Sequence, residues 1–128
     1  MRSTAHTILR IGTGLLFIEH GVQKLFGAMG GFGSPGVTAP MMSRYGVAGW
    51  LEFVGGLLII LGAFTRPVAF VLACEMLTAF YLAHRPRGGW PVQNLGELAL
   101  LYCLIFIFLA ANGAGPISVD HRFRIRFR

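Results

Sequence analysis

Residues 95–111 read LGELALLYCLIFIFLAA, an apolar run broken only by Gly96 and Glu97. A helix that crosses a bilayer needs about 20 mainly apolar residues, within a range of roughly 17–25. The run meets that length, so lipid is the expected solvent. Two further runs share its character: Pro67 to Ala83, broken by Glu75, and Val47 to Phe64, which holds Glu52 and several glycines. Composition agrees, because 55% of the 128 residues are hydrophobic and 12% are charged, against about 25% charged in ordinary soluble domains. Such a chain is not intrinsically disordered, its length holds a single domain, and its two cysteines cannot build a disulfide framework. The formal net charge of +6 lacks the solvated basic face that nucleic acid requires, so no nucleic-acid partner is expected.

Residues 4–26 are less apolar and include His6, Arg10, Glu19, His20, Gln23 and Lys24. Within them Ile8, Ile11, Leu15, Ile18, Val22 and Leu25 recur every three or four positions, the spacing of one helix face. At about 100° per residue, Arg10, Glu19, His20, Gln23 and Lys24 are expected on the other half of the wheel. The pattern predicts a spanning helix whose polar half faces other helices. An amphipathic helix lying in the interface and a signal peptide cut near Ala28-Met29-Gly30 are the alternatives. Spans are expected at about 4–26, 47–64, 67–84 and 94–112 of one transmembrane domain covering residues 1–128. Short connections make neighbouring helices antiparallel, so the expected fold is an all-α membrane protein, an antiparallel four-transmembrane-helix bundle. Gly27 to Tyr45, rich in glycine and proline, reads as a long irregular first loop.

Lysine and arginine orient such a bundle. Arg2, Arg10, Arg66, Arg122, Arg124, Arg126 and Arg128 fall on the side of the termini, and Lys24, Arg44, Arg85 and Arg87 on the other. Cytoplasmic termini are expected.

The glutamates are distributed one per span: Glu19, Glu52, Glu75 and Glu97. At about 1.5 Å per residue, Glu19 and His20 lie roughly 9–10 Å from the non-cytoplasmic end, Glu52 roughly 8 Å, Glu97 roughly 5 Å and Glu75 about 14 Å. Ionisable groups inside a membrane are expensive and persist when they pair, protonate or line a cavity. The residues Glu19, His20, Lys24, Glu52, Glu75, His84, Asn94 and Glu97 are therefore the candidate polar pocket in the outer half of the bundle, roofed by residues 27–45. A hydrogen-bonded network that only fixes helix packing is the alternative.

Haem ligation by His20 and His84 is disfavoured by a depth difference of about 9 Å. A bundle metal site lacks the Glu-x-x-His spacing, since Glu19 and His20 are adjacent, and no metal is expected. Cys74 and Cys103 read as inert buried thiols. Gly49, Gly55, Gly56 and Gly62, with Ala69 and Ala73, allow close helix approach. In the basic tail 121–128, Arg122, Arg124, Arg126 and Arg128 alternate with apolar residues. An extended tail would lay them on anionic headgroups or against a partner subunit.

Taken in order, the motifs resemble the DoxX family of small bacterial and archaeal membrane proteins. They are Glu19-His20-Gly21-x-x-Lys24, Glu52-x-x-Gly55-Gly56, Leu61-Gly62-x-x-Thr65-Arg66, His84, Asn94-x-x-Glu97, Gly113-Ala114-Gly115 and Ser118-x-Asp120. The likeness runs from about Arg10 to Asp120, and the arginine-rich end lies outside it. It implies a multi-pass protein of the plasma (inner) membrane with a link to quinone-dependent oxidoreductases. No flavin, haem or iron–sulfur motif is evident, and a bound quinone is the ligand consistent with this link.

The leading expectation is a membrane subunit of a redox system, without a redox cofactor motif of its own. In it Glu19, His20 and Glu97 exchange protons with a quinone or hydrogen-bond its carbonyl, and Lys24 balances local charge. Electron transfer then needs a partner. The rivals are a proton or small-solute transporter and a structural or accessory subunit within a larger complex or homo-oligomer.

Overall fold

The computed structural model describes residues 2–127 and is built of helices and the turns that join them. Helix α1 spans Arg2–Phe26, α2 Arg44–Leu61, α3 Thr65–Ala79, α4 Pro91–Asn94, α5 Glu97–Asn112 and α6 Val119–Arg122. A π-helical turn, Phe80–His84, and a 3-10 turn, Arg85–Arg87, prolong α3. The π turn has a local cause. The Arg85 N–H reaches back to the Phe80 carbonyl, and Pro86, without an N–H, cannot continue the helical ladder.

Among the described residues two helical stretches are long and apolar enough to cross a membrane, Arg44–Leu61 and Thr65–Arg87. Helix α5 is apolar on every side but has 16 residues. Helix α1 has 25 residues and carries the charges noted above. The α2 helix begins and ends about a turn earlier than its expected span because its caps fix it. Ser43 accepts a hydrogen bond from Gly46 N at the start. At the end Gly62 turns left-handed at φ 68°, and the N–H groups of Gly62 and Ala63 return to the carbonyls of Ile59 and Leu58, a Schellman closure.

The exterior is apolar on all four long helices. Ile8, Leu15 and Leu16 of α1, Trp50, Val54 and Leu57 of α2, Phe70 and Leu77 of α3, and Leu101, Leu104 and Ile107 of α5 are exposed. The interior is apolar too, with Phe17, Ile59, Leu72, Met76, Tyr102, Phe106 and Leu109 forming one cluster. Phe17 meets Phe106 and Tyr102 edge-on, with ring centroids 4.9 and 5.2 Å apart, a favoured aromatic arrangement.

Helices α1 and α2 approach through glycines. A Cβ on Gly21 would lie 2.5 Å from Phe53 N and 2.8 Å from Gly49 O, and one on Gly14 would lie 2.7 Å from the Ile60 side chain. Such close backbone approach substitutes for hydrophobic driving force where the surroundings are lipid.

At the end holding the chain termini, three side chains bind the helices together. Arg10 is buried at 1% exposure. It donates to the carbonyls of Ile59 and Ile60 at the end of α2, and to Ala114 and Ile117 in the strap after α5. Asp120 accepts from Phe64 N at 2.7 Å and Thr65 N at 2.9 Å, supplying the N-cap that α3 lacks locally. Arg66 donates to the carbonyls of Ala110 and Ala111 at the end of α5. These contacts satisfy helix-terminal groups that would otherwise be orphaned.

Candidate functional site

At the opposite end the helices part around a cavity of about 680 Å³. Helix α1 packs extensively on α2 and α3 on α5, whereas the α2–α3 and α1–α5 contacts are sparser. The cavity occupies the space between these two pairs. Its walls include Phe17, Leu51, Met76, Leu82, Ala99 and Tyr102, and Phe32 of the first loop closes one side with Arg44 and Tyr45. The Phe32 and Tyr45 rings stand 5.2 Å apart. Arg44 covers the Tyr45 ring at 5.0 Å. The loop is tied to α1 through Ala39 N to Lys24 O and Gln23 Nε2 to Met29 O. Gly31 is required there, since at φ 70° its absent Cβ would fall 1.9 Å from Ser34 O.

A polar patch lies in this apolar chamber. Lys24 Nζ sits 2.8 and 2.6 Å from the two Glu52 oxygens, and Glu52 is 4% exposed. Glu75 of α3 lies beside Glu52. Both Glu75 oxygens are buried, and no donor among the described residues reaches them. The one ammonium of the patch is therefore bonded to Glu52 and not to Glu75. His20 faces the Tyr102 ring edge-on at 6.0 Å, and both line the cavity. His84, on the π turn, lines it as well and bonds the Asn94 carbonyl through Nδ1 at 3.1 Å.

The structure thus brings five of the expected residues to one chamber: His20, Lys24, Glu52, Glu75 and His84. The other three lie elsewhere. Glu19 is exposed. It follows Arg10 by nine positions, which at about 100° each is half a turn away from the buried face, so the expected polar half of α1 does not include it. Glu97 is exposed in the first turn of α5, where its charge suits the helix dipole. Asn94 is fully buried and spent on the loop: Nδ2 donates to Gly88 O and Oδ1 accepts from Gly96 N, both at 2.9 Å. Arg85 and Arg87 are exposed, whereas Arg44 reaches the cavity.

Tyr102 was not singled out by its sequence context. It sits in the most apolar span, and only its turn toward His20 gives it a polar setting. Among the described residues no three His, Cys, Asp or Glu side chains gather as a metal site would require. Cys103 is buried, but Cys74 is exposed on α3, contrary to expectation. In the tail, Arg122, Arg124 and Arg126 are exposed. The segment is a single turn of α6 followed by irregular backbone, held by Ile125 N to Asp120 O. Arg128 lies outside the described residues.

The DoxX family model matches residues 5–85. An uncharacterised Haemophilus influenzae protein is 42% identical over 122 residues, covering 90% of this chain and 87% of its own. A Bacillus subtilis protein named "Putative oxidoreductase CatD" is 31% identical, with 88% and 82% covered. An Escherichia coli protein named "Inner membrane protein YphA" is also 31% identical, with 90% and 87% covered. No solved structure matches the chain.

Proposed function

The chain belongs to the DoxX family of membrane proteins, and we propose that it holds a quinone head group in the chamber between the α1–α2 and α3–α5 pairs. In this reading α1, α2, α3 with its π turn, and α5 are four antiparallel spans of the inner membrane, with cytoplasmic termini by the arginine distribution. The observation that carries the proposal is the chamber's chemistry. Its volume of about 680 Å³ lies within the range of roughly 300–1,000 Å³ that small-molecule sites occupy. Its walls are apolar, and its few polar groups are of both hydrogen-bonding senses. The Glu75 oxygens accept, the Tyr102 hydroxyl donates or accepts, and His20 does either according to its tautomer.

A quinone presents carbonyl acceptors, and its two-electron, two-proton reduction converts these to hydroxyl donors. Tyr102 and His20 suit the first state, and the unmatched Glu75 suits the second. Lys24 keeps Glu52 charge-balanced, so that Glu75 is the carboxyl left to meet a ligand. The chain has no motif for a flavin, haem or iron–sulfur centre, so a partner protein supplies or takes the electrons in this reading. The name of the Bacillus subtilis relative supports a redox setting. The exposed Arg122, Arg124 and Arg126 would rest on anionic headgroups.

A transport reading draws less support, because Arg10 and the strap fill the opposite end with hydrogen-bonded backbone. Native mass spectrometry after gentle extraction tests the proposal. A retained mass matching a quinone, lost on Glu75→Gln with Tyr102→Phe, supports it. Stoichiometric protein partners without a small ligand would favour an accessory subunit instead.

A further inference from the structure

The chamber's apolar wall has a second hollow on its other side. This hollow of about 530 Å³ lies on the outer surface of α2 and α3, and the two share Val47, Leu51 and Val71 as a common wall. This groove runs from Val47 to Leu58 along α2, about 16 Å of helix. On α3 it is bordered by Pro67, Val68 and Leu72. No charged side chain lines it. It opens outward, since Val47, Trp50, Val54 and Val71 are exposed. Gly55 lines it without a side chain, and Leu72 packs into the place a Cβ would take, 2.8 Å from Leu72 Cδ2.

A polar chamber and an apolar surface groove that meet across three aliphatic side chains, Val47, Leu51 and Val71, fit a ligand of matching polarity, with one compact polar head and one long hydrocarbon tail. We propose that the α2–α3 groove seats the isoprenoid tail of a membrane quinone, which enters sideways from the bilayer past Val47, Leu51 and Val71. This inference rests on the quinone-head reading and narrows its ligand to tailed quinones. Packing between α2 and α3 is sparser than within the two helix pairs, so these three side chains are what such entry has to displace. Phe32 of the first loop, with Arg44 and Tyr45 at the start of α2, meanwhile lines the chamber at its loop end. Tail contacts add affinity without adding polar recognition, so the groove decides which quinones are retained rather than how the head is held.

The test uses the full chain in lipid nanodiscs, titrated with a tail-less benzoquinone and with the same head carrying a two-isoprene tail. Partition into empty nanodiscs is subtracted. The expected result is at least tenfold tighter binding of the tailed ligand. Val54→Trp, at a residue that lines the groove and not the chamber, should remove that advantage and leave the tail-less affinity within twofold. Leu104→Trp, on the exposed face of α5, should change neither. A measurement on the unaltered protein stands beside the variants: a tail bearing a photoreactive diazirine should label residues 47–58 and 67–72. Equal affinity for the two ligands, an advantage that survives Val54→Trp, or labelling confined to α5 would overturn the tail site. Failure of both ligands to bind the unaltered chain would instead overturn the quinone-head reading beneath it.

Discussion

Lys24 and Glu52 form a two-pronged ion pair across the α1–α2 interface, with Lys24 Nζ 2.8 Å from Oε1 and 2.6 Å from Oε2. Only 18% of the Lys24 side chain and 5% of the Glu52 side chain are exposed, so water contributes little screening. The pair lies on the cavity wall, at the end of the molecule remote from the Arg10, Arg66 and Asp120 cluster. One end of the fold is therefore closed by backbone capping, and the other is held by charge beside an open chamber.

Removing one member of that pair should be far worse than removing both. Lys24→Met strands a buried Glu52 next to Glu75, and breaking a buried ion pair costs about 3–5 kcal/mol. The double substitution Lys24→Met with Glu52→Gln removes the Glu52 charge together with its partner and should recover most of the loss. Thermal unfolding of the four members of the cycle in one detergent measures the coupling. Additive losses would mean that the ammonium and carboxylate do not depend on each other.

Arg10 should be irreplaceable even by lysine. Its guanidinium donates to four carbonyls on α2 and the strap, a fork that an ammonium with three protons on a flexible stem cannot reproduce. At about 1 kcal/mol per hydrogen bond, and more for charged donors, Arg10→Lys is expected to cost about 2 kcal/mol and Arg10→Met more. The distinctive sign is local. Residues 113–120 should become sensitive to protease before the protein unfolds, because Arg10 is what ties Ala114 and Ile117 down. Uniform loss of stability without early cleavage of the strap would count against this assignment.

Helix depth was legible in the sequence, and helix azimuth much less so. Counting residues put Glu52, Glu75, His20 and Lys24 toward the loop end, and they do line one chamber. Glu97 illustrates the limit. Helix α5 is apolar all round, so nothing in its pattern says which side is packed, and Glu97 turns out exposed. Glu19 shows a different failure: it lies beside His20 in sequence but about 100° away on the wheel, on the exposed side. The terminal cluster was hidden for a third reason. Arg10 counted as a topological charge, whereas its work is capping α2 from another helix, and Asp120 caps a helix that begins 55 residues earlier. Long-range caps leave no local pattern. The spaced motifs Leu61-Gly62-x-x-Thr65-Arg66 and Ser118-x-Asp120 were their trace.

Two glycines on α1 should respond oppositely to alanine. Gly12 has open space where a Cβ would stand, whereas at Gly21 the methyl would lie 2.5 Å from Phe53 N and 2.8 Å from Gly49 O. Gly12→Ala is expected to be neutral or to stabilise by up to about 1 kcal/mol through helix propensity. Gly21→Ala must push α2 away, loosening the Lys24–Glu52 contact with it, and should cost about 2–3 kcal/mol as overpacking does. Paired melting curves decide the matter, and equal effects at the two sites would show that α1 and α2 are not in backbone contact.

Glu75 should be a residue that the fold would be more stable without. Both its oxygens are buried with no donor among the described residues, and an unsatisfied buried polar group costs about 1–3 kcal/mol. Glu75→Met is close in volume, carries no polar oxygen and suits a site beside Met76 and Tyr102. It is expected to raise the melting temperature while abolishing binding of the quinone head. The two readouts separate the explanations. A group kept for packing would lower stability when replaced, and one kept for a ligand should lower only binding. A fall in melting temperature with binding intact would mean that Glu75 has a structural partner, and the head site would then have to rest on His20 and Tyr102 alone.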